Sequence, residues 1–358
     1  MADYDYGNAR LHAMKSRLLS KGEFEALVNT GSLQGLISAL TKTAYQKSVE
    51  SALTRTTGMD CIEDALRNNL ESTVGKILGF YTDSAGAMVK IVLQAYDIHN
   101  LKAILRGLTK NIPVGEILRV LLPVGELKYH LLRELARMRS PREAIDTLVS
   151  MGQPMAWPLI TLRAEHPGAQ LFELELALEG WHYQEARRFL RTENRLDSVL
   201  CQALALEADL ANVLIALRFA RDPSERDLLH EYFGDEQVNG LLMGPGRITF
   251  DVLTEACYKN NVAGAIEALT DTAFAPALQA GLERYEQTQR LSDIEKQLKR
   301  YRLEWMANQT FKDPLGIGVV LGYIAVKTNE VGNIRWIAHG IDLGLKAETI
   351  RDELEMVS

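Results

Sequence analysis

Cysteine is scarce in this sequence of 358 residues. Only Cys61, Cys201 and Cys257 occur, and no two of them have the C-x-x-C spacing of a thiolate metal site. An odd and scattered set also provides no disulfide framework. We therefore expect free thiols in a reducing cytoplasm. The chain is long enough to bury a substantial core without cross-links.

Long apolar runs are missing as well. The longest nearly uncharged stretch, Leu315 to Val326, has 12 residues, whereas a helix needs about 20 to span the hydrocarbon of a bilayer. The first residues, MADYDYGNARLHAMK, have no apolar core after a basic start and so do not resemble a secretory signal. We expect no transmembrane segment, and any membrane role to be peripheral, on the cytoplasmic face.

Sequence motifs for catalysis are also missing. The P-loop, H-E-x-x-H and G-x-S-x-G patterns do not occur, two aspartates are never adjacent, and no two of the seven histidines have a helical ligand spacing. A satisfied structural histidine is the favoured interpretation of His99. The formal net charge of −7 opposes a nucleic-acid partner. These absences predict a protein without catalytic residues, metal site or cofactor.

What the sequence does contain is helical periodicity. Ile294, Leu298, Tyr301 and Trp305 form a stripe on one helix face that predicts contact with a core. Helix starts are expected at Ser140, where Pro141 and Glu143 follow, and at Ser292. Sustained strand alternation is absent, so we predict an all-α fold.

Three signals recur in the same order along the chain, which indicates an internal repeat. The first is a turn that enters a helix and contains Gly22, Gly125 or Gly246. The second is a short helix whose apolar positions match between copies: Ile37 and Leu40, Ile145 and Leu148, Ile266 and Leu269.

The third signal is an acidic residue followed three positions later by asparagine. It occurs as Asp97 and Asn100, Asp209 and Asn212, and Glu330 and Asn333. All three signals have the same spacing in the second and third copies, while the first copy is shorter. At about 110 to 120 residues, each copy exceeds the length of helical solenoid repeats. We predict three similar helical domains, residues 1–115, 116–236 and 237–358.

The acidic residue and asparagine of each pair lie on one helix face, where they can share hydrogen bonds or reach a neighbouring segment. A structural polar clasp is the favoured interpretation, because a buried asparagine must be satisfied in every copy. The alternative is that the three pairs line a polar surface or bind a partner.

Two further features have both a structural and a functional interpretation. Arg187, Arg191 and Arg195 have the spacing of one helix face; they form a solvated stripe or dock an acidic surface or lipid headgroups. Gly318 and Gly322, in a glycine-rich segment that begins at Gly316, favour close helix packing, with contact to a partner as the alternative.

Three segments resemble the C subunit of the A/V-type rotary ATPases, which are also called A/V-type ATP synthases. The vacuolar counterpart of this subunit is the d subunit. Tyr6-Gly7-Asn8-Ala9-Arg10 followed by MKSRLL is similar to the opening of that family, and YDIHNLKAILRG, at 96–107, resembles a second family motif. The run from Lys327 to Arg335 is similar to K-x-x-E-x-x-N-[IL]-R. The resemblance covers the chain from end to end. The second copy departs from the pattern, with Leu214 where Lys102 and Arg335 stand in the others.

The resemblance implies a non-catalytic central-stalk subunit. It implies a funnel of three helical domains around a pseudo-threefold axis, on the cytoplasmic side of the membrane proteolipid ring, that receives the foot of the rotor shaft. Its partners would be the shaft subunits and the ring, and its role would be to couple them for proton or sodium transport with ATP synthesis or hydrolysis. A cytoplasmic helical scaffold that binds other proteins fits the sequence pattern too; only the resemblance separates the two.

Overall fold

The computed structural model describes residues 3–195, 198–224, 242–244 and 246–356, and in these ranges it has eighteen helices and no strand. The predicted all-α class is confirmed. The chain divides into two compact units, which we call unit 1 (Met1–Ala156 and Met306–Ser358) and unit 2 (Trp157–Trp305). The division into domains 1–115, 116–236 and 237–358 stays a prediction, and its second boundary lies outside the described residues.

Nine helices in the described part of the chain precede residue 156: α1 (Asp5–Lys15), α2 (Lys21–Val28), α3 (Leu33–Leu40), α4 (Gln46–Leu53), α5 (Gly58–Phe80), α6 (Asp83–Thr109), α7 (Val114–Arg119), α8 (Tyr129–Ala136) and α9 (Pro141–Ser150). The others described are α10 (Ala156–Glu165), α11 (Leu171–Thr192), α12 (Val199–Arg221), α13 (Phe250–Cys257), α14 (Val262–Ala268), α15 (Ala275–Thr288), α16 (Leu291–Lys312), α17 (Gly318–Asp342) and α18 (Ala347–Asp352).

Unit 1 combines the two ends of the chain. Helix α17 packs against α1, α2, α3 and α5, so the C-terminal part of the sequence is buried among the N-terminal helices. Helix α6 packs against α7, α8 and α9 on the same unit. The side chains of Leu11 on α1, Leu36 on α3 and Ile334 on α17 are fully buried, so these helices share a core rather than a surface contact.

Unit 2 is built around α12, which packs against α11, α13 and α14. The predicted stripe on α16 faces this core: Ile294 and Leu298 are fully buried, while Tyr301 and Trp305 pack against the core and are partly buried. The matched apolar pairs of the three copies are all buried, at 0 to 3% exposure. The helical periodicity therefore identified core positions correctly in every copy.

One described helix, α12, is long and apolar enough to cross a membrane by length and composition alone. Of its most apolar 18-residue stretch, 61% is buried inside the protein, and Val213 and Phe219 belong to the core of unit 2. A search for uncharged runs passes over this helix because Glu207 and Asp209 interrupt its sequence. Its apolar side chains are those of a core helix.

The predicted helix starts have different outcomes. The Ser140 hydroxyl accepts a hydrogen bond from the Glu143 backbone N–H at 3.2 Å, and Pro141 occupies the first turn of α9. Ser292 is not a cap, because α16 already begins at Leu291. The hydroxyl of Thr288 accepts from the Arg290 N–H instead and donates to the Asp293 carboxylate. Helix α16 thus begins one residue before Ser292.

Candidate functional site

The three acid-and-asparagine pairs lie on three long helices, α6, α12 and α17. All six side chains are buried, with exposures of 0 to 5%: Asp97, Asn100, Asp209, Asn212, Glu330 and Asn333. Groups of this kind lose their water on burial and need protein partners. The partners are backbone groups of segments that follow or precede each helix in the chain, and Glu330 also binds side chains.

Each asparagine holds one backbone residue by both of its polar groups. Asn100 donates to the Leu122 carbonyl and accepts from the Leu122 N–H, both at 2.7 Å. Asn212 does the same with Met243, at 2.7 and 2.8 Å, and Asn333 with Glu355, at 2.9 and 3.1 Å. The amide thus replaces a backbone partner for a loop that has no regular secondary structure.

The two aspartates accept from two successive backbone N–H groups in those same loops. Asp97 accepts from Glu126 at 2.7 Å and from Leu127 at 3.0 Å. Asp209 accepts from Arg247 at 2.8 Å and from Ile248 at 3.1 Å. The third signal of one copy therefore binds the first signal of the next copy, within unit 1 for the first pair and within unit 2 for the second.

The repeat glycine in each of these loops makes room for the carboxylate. A Cβ atom at Gly125 would collide with the carboxylate of Asp97, and one at Gly246 would collide with that of Asp209. At Gly22, by contrast, a Cβ would meet no atom within 4 Å. The glycines of the second and third copies are thus required by the close approach of a buried acid.

Burial sets the charge state of the two aspartates. It raises the pKa of the Asp97 carboxyl to about 6, although the two backbone donors and Lys128 act in the opposite direction. Burial also raises the pKa of Asp209, against the opposing effect of its backbone donors and of Arg247. Desolvation therefore outweighs hydrogen bonding at both sites.

Glu330 departs from this pattern. One carboxylate oxygen accepts from the Leu19 backbone N–H at 2.5 Å, and the other accepts from the Tyr45 hydroxyl at 2.8 Å. Leu19 belongs to the entry turn of the first copy, three residues before Gly22. The longer glutamate side chain thus joins the third copy to the first, and it leaves Gly22 uncovered.

A buried lysine completes this cluster. Lys327 donates to the same Glu330 oxygen at 2.6 Å and to the Tyr45 hydroxyl at 2.9 Å, and all three side chains are at most 4% exposed. Burial lowers the pKa of the Lys327 ammonium, and Glu330 opposes that effect. Burial and the charge of Glu330 together raise the pKa of the Tyr45 hydroxyl well above its usual range.

The Lys327–Glu330–Tyr45 cluster was not predicted from the sequence. The repeat contains a signal for it. Lys327 of the third copy corresponds to Leu206 of the second copy, and Tyr45 of the first copy corresponds to Phe274 of the third. Leu206 and Phe274 are both buried in the core of unit 2. The contact between the third copy and the first thus contains a buried ion pair where the contact between the second and third copies has an apolar pair beside its acid.

The predicted arginine stripe is wrong in part. Helix α11 ends at Thr192, so Arg195 does not continue the face of Arg187 and Arg191. Asn194 adopts a left-handed φ of 53°, and Arg195 donates its N–H back to the Leu190 carbonyl at 2.8 Å, which is a Schellman ending.

Arg187 and Arg191 differ in their surroundings. Arg187 is half-buried, and its guanidinium donates to the Tyr183 hydroxyl at 3.2 Å and lies over that ring. Arg191 is exposed. The basic surface on α11 is therefore smaller than the sequence indicated.

Close packing explains the glycine pair. A Cβ at Gly322 would collide with the Thr310 side chain and crowd the Met306 carbonyl, and one at Gly318 would lie 2.7 Å from the Gln309 carbonyl. The start of α17 thus lies directly against the backbone of α16. Gly316 precedes the helix, which begins at Gly318 rather than at the start of the glycine-rich segment.

The two terminal motifs have clear structural roles in unit 1. Asn8 donates to the carbonyls of Pro314 and Gly316 at 3.3 and 3.0 Å and accepts from the Tyr81 hydroxyl at 2.8 Å. Arg335 donates to both oxygens of Glu63, at 3.0 and 3.2 Å. Both contacts join the N-terminal helices to the C-terminal part of the chain.

Within the described ranges, no group of three or more His, Cys, Asp or Glu side chains is placed to hold a metal ion. His99, in the second family motif, is exposed. Burial lowers the pKa of His182 to about 4.

Comparison with known proteins assigns the chain to a family. The model of the ATP synthase (C/AC39) subunit family matches residues 7–353, and the chain belongs to that family. It is 25% identical to the C subunit of the A-type ATP synthase of Methanocaldococcus jannaschii, over 99% of this chain and 86% of the relative.

Two other relatives show the same end-to-end match. The C subunit of the A-type ATP synthase of Methanosarcina acetivorans is 29% identical over 99% of this chain and 94% of its own length. The C subunit of the V-type ATP synthase of Deinococcus radiodurans is 24% identical over 99% and 91%. The resemblance seen in the sequence motifs is thereby confirmed, and the chain is a subunit of a rotary ATP synthase.

Proposed function

We propose that this chain is a non-catalytic central-stalk subunit that couples the rotor shaft of an A/V-type ATPase to the membrane proteolipid ring. The match to the ATP synthase (C/AC39) subunit family over nearly the whole chain is the observation that carries the proposal. The three-domain, pseudo-threefold funnel and the peripheral position on the cytoplasmic face are parts of it. Ion transport and ATP synthesis or hydrolysis would take place in the partner subunits.

Mechanical coupling requires a stiff body, and the buried polar contacts support this role. Successive copies are joined by charged or amide side chains that bind backbone groups of the next copy. A half-satisfied contact of this kind is costly, so the joint has one favoured geometry. We therefore propose that the six residues of the acid-and-asparagine pairs form structural clasps, and that partners bind elsewhere on the surface.

The coupling role is tested by reconstitution. The purified full-length chain is mixed with purified shaft subunits and with detergent-solubilised proteolipid ring, and each mixture is run by size exclusion. We expect co-migration with each partner and a single complex that contains all three. If the chain binds neither shaft nor ring, the coupling role is wrong, and the alternative of a general helical scaffold becomes the better interpretation.

The remaining basic pair on α11 offers a sharper test of where the shaft binds. Arg187→Glu with Arg191→Glu reverses two charges one helical turn apart, and Arg133→Glu with Arg137→Glu makes the same change on and just beyond α8. If α11 docks an acidic shaft surface, only the first variant weakens shaft binding and reduces its salt dependence. If the two variants bind the shaft with equal affinity and equal salt dependence, the basic pair on α11 faces solvent.

A further inference from the structure

Unit 1 carries an apolar and basic patch where α1 passes the end of α16. Phe311 and Leu315 are 74% and 75% exposed, more than any other large hydrophobic side chain among the described residues. They lie four residues apart, Phe311 in the last turn of α16 and Leu315 in the turn that follows. We call these two side chains, together with Lys15 and Lys312, the Phe311 patch.

The backbone of this patch is held in place, so its exposure is not the result of a frayed end. Asn8 binds the carbonyls of Pro314 and Gly316, one on each side of Leu315. The Asp313 carboxylate accepts from the Gly318 N–H at 2.8 Å, which also satisfies the start of α17. Phe311 is therefore presented to solvent from the end of a helix, and Leu315 from a turn whose backbone is held.

Two positive charges, Lys15 and Lys312, belong to the patch. Asp313 is the acid nearest to it in sequence, and α1 begins with another acid, Asp5. The Lys15 ammonium lies 4.3 Å from the centre of the Phe311 ring, and Lys312 is the next residue along the chain. The sequence has no acidic residue from Tyr6 to Gly22, although the whole chain has a net charge of −7. The nearest acid in sequence on the other side, Asp313, is engaged by the backbone.

We propose that the Phe311 patch binds an anionic lipid surface. Aromatic and leucine side chains enter the interfacial region of a bilayer, while neighbouring lysines pair with acidic headgroups. Protein interfaces are less suitable partners, because their cores are depleted in lysine. The contact would be weak and peripheral, since it inserts two side chains and no helix.

This proposal goes beyond the coupling role and is tested without shaft or ring. The full-length chain is mixed with vesicles of phosphatidylcholine alone or of phosphatidylcholine with phosphatidylglycerol, and the bound fraction is measured by flotation. We expect binding to the anionic vesicles, little binding to the neutral ones, and loss of binding at high salt.

Two variants divide the apolar and the electrostatic parts of the interaction. Phe311→Ser with Leu315→Ser removes the inserting side chains, and Lys15→Gln with Lys312→Gln removes the charges. We expect each double variant to lower the partition coefficient by about tenfold or more.

Control variants make comparable changes elsewhere on unit 1, one apolar and one electrostatic. Leu343→Ser alters a leucine that is 72% exposed, and Lys42→Gln with Lys110→Gln removes two lysines outside the patch. We expect both controls to bind anionic vesicles as the unaltered chain does. Equal loss in patch and control variants, or no binding to anionic vesicles by the unaltered chain, would overturn the proposal.

The outcome is independent of the coupling role. Binding of each variant to the detergent-solubilised ring is measured in parallel, where no bilayer is present. A patch variant that loses vesicle binding but keeps the ring supports a lipid contact. A variant that keeps vesicle binding and loses the ring shows that the patch contacts the proteolipid instead, and the lipid proposal is then wrong.

Discussion

The hydroxyl of Tyr45 donates to a carboxylate oxygen of Glu330 at 2.8 Å, although 285 residues separate them in the sequence. Lys327 binds both groups from one helical turn before Glu330. The three side chains form a buried cluster with one positive and one negative charge. It joins the first and third copies of the repeat inside unit 1.

Replacing Tyr45 by phenylalanine tests this joint. The ring still fills its space, but Glu330 and Lys327 each lose a partner in a buried site, so we expect the free energy of unfolding to fall by about 1 to 2 kcal/mol. Chemical denaturation measures the change. Tyr6→Phe, at a side chain that is 63% exposed, is the control and should have no effect. Equal stability of both variants would show that the hydroxyl contributes nothing.

The three equivalent glycines should respond differently to alanine. Gly125→Ala and Gly246→Ala place a methyl group against a buried carboxylate, so we expect losses of about 2 to 4 kcal/mol as the hydrogen bonds of Asp97 and Asp209 are broken. Gly22→Ala meets no atom and lies in the first turn of α2, so it should stabilise by up to about 1 kcal/mol. Thermal unfolding of the three variants measures these changes in stability. A similar loss in all three would contradict the carboxylate explanation.

Asn212→Leu tests the clasp interpretation directly. The Met243 N–H and carbonyl lose their partners in a buried site, so we expect a loss of about 2 to 4 kcal/mol and an unchanged affinity for the shaft subunits and the ring. Asn260→Leu, outside the core, serves as the control for the added apolar side chain. Weaker partner binding at unchanged thermal stability would mean that Asn212 belongs to an interface.

The raised pKa of Asp97 predicts that the free energy of unfolding depends on pH. Between its ordinary pKa of 3.8 and the folded-state pKa of about 6, the folded chain holds a proton that the unfolded chain has released. The contribution of Asp97 to the free energy of unfolding therefore falls as the pH rises through this window, by on the order of 3 kcal/mol in all.

Two measurements check this contribution. Asp97→Asn cannot titrate, so the stability difference between the unaltered chain and the variant should shrink from pH 4 to pH 7. A carboxyl NMR titration of Asp97 should have its midpoint near 6. A midpoint at or below the ordinary value would show that the two backbone donors outweigh desolvation.

Sequence pattern was sufficient for what is local and repeated. The acid-and-asparagine spacing identified six buried side chains because both residues lie on one helix face, and the matched apolar pairs identified core positions in all three copies. The partner of Glu330 was not identified, since Tyr45 is far away in sequence and its trace in the repeat is a single change, from Phe274 in the third copy to Tyr45 in the first. The arginine stripe failed at Asn194, where a left-handed residue ends the helix before the pattern does.

Unit 1 is built from both ends of the chain, and this has a consequence for folding during synthesis. Its two segments are separated by the whole of unit 2, so a ribosome delivers Glu330, the partner of Tyr45, and the carbonyl partners of Asn8 only after about three hundred further residues. Domains usually mature in the order of their synthesis. Unit 2 is continuous in sequence and is available to fold first. The N-terminal helices of unit 1 keep an incomplete core until the C-terminal helices are synthesised. During that interval they expose apolar surface of the kind that chaperones bind.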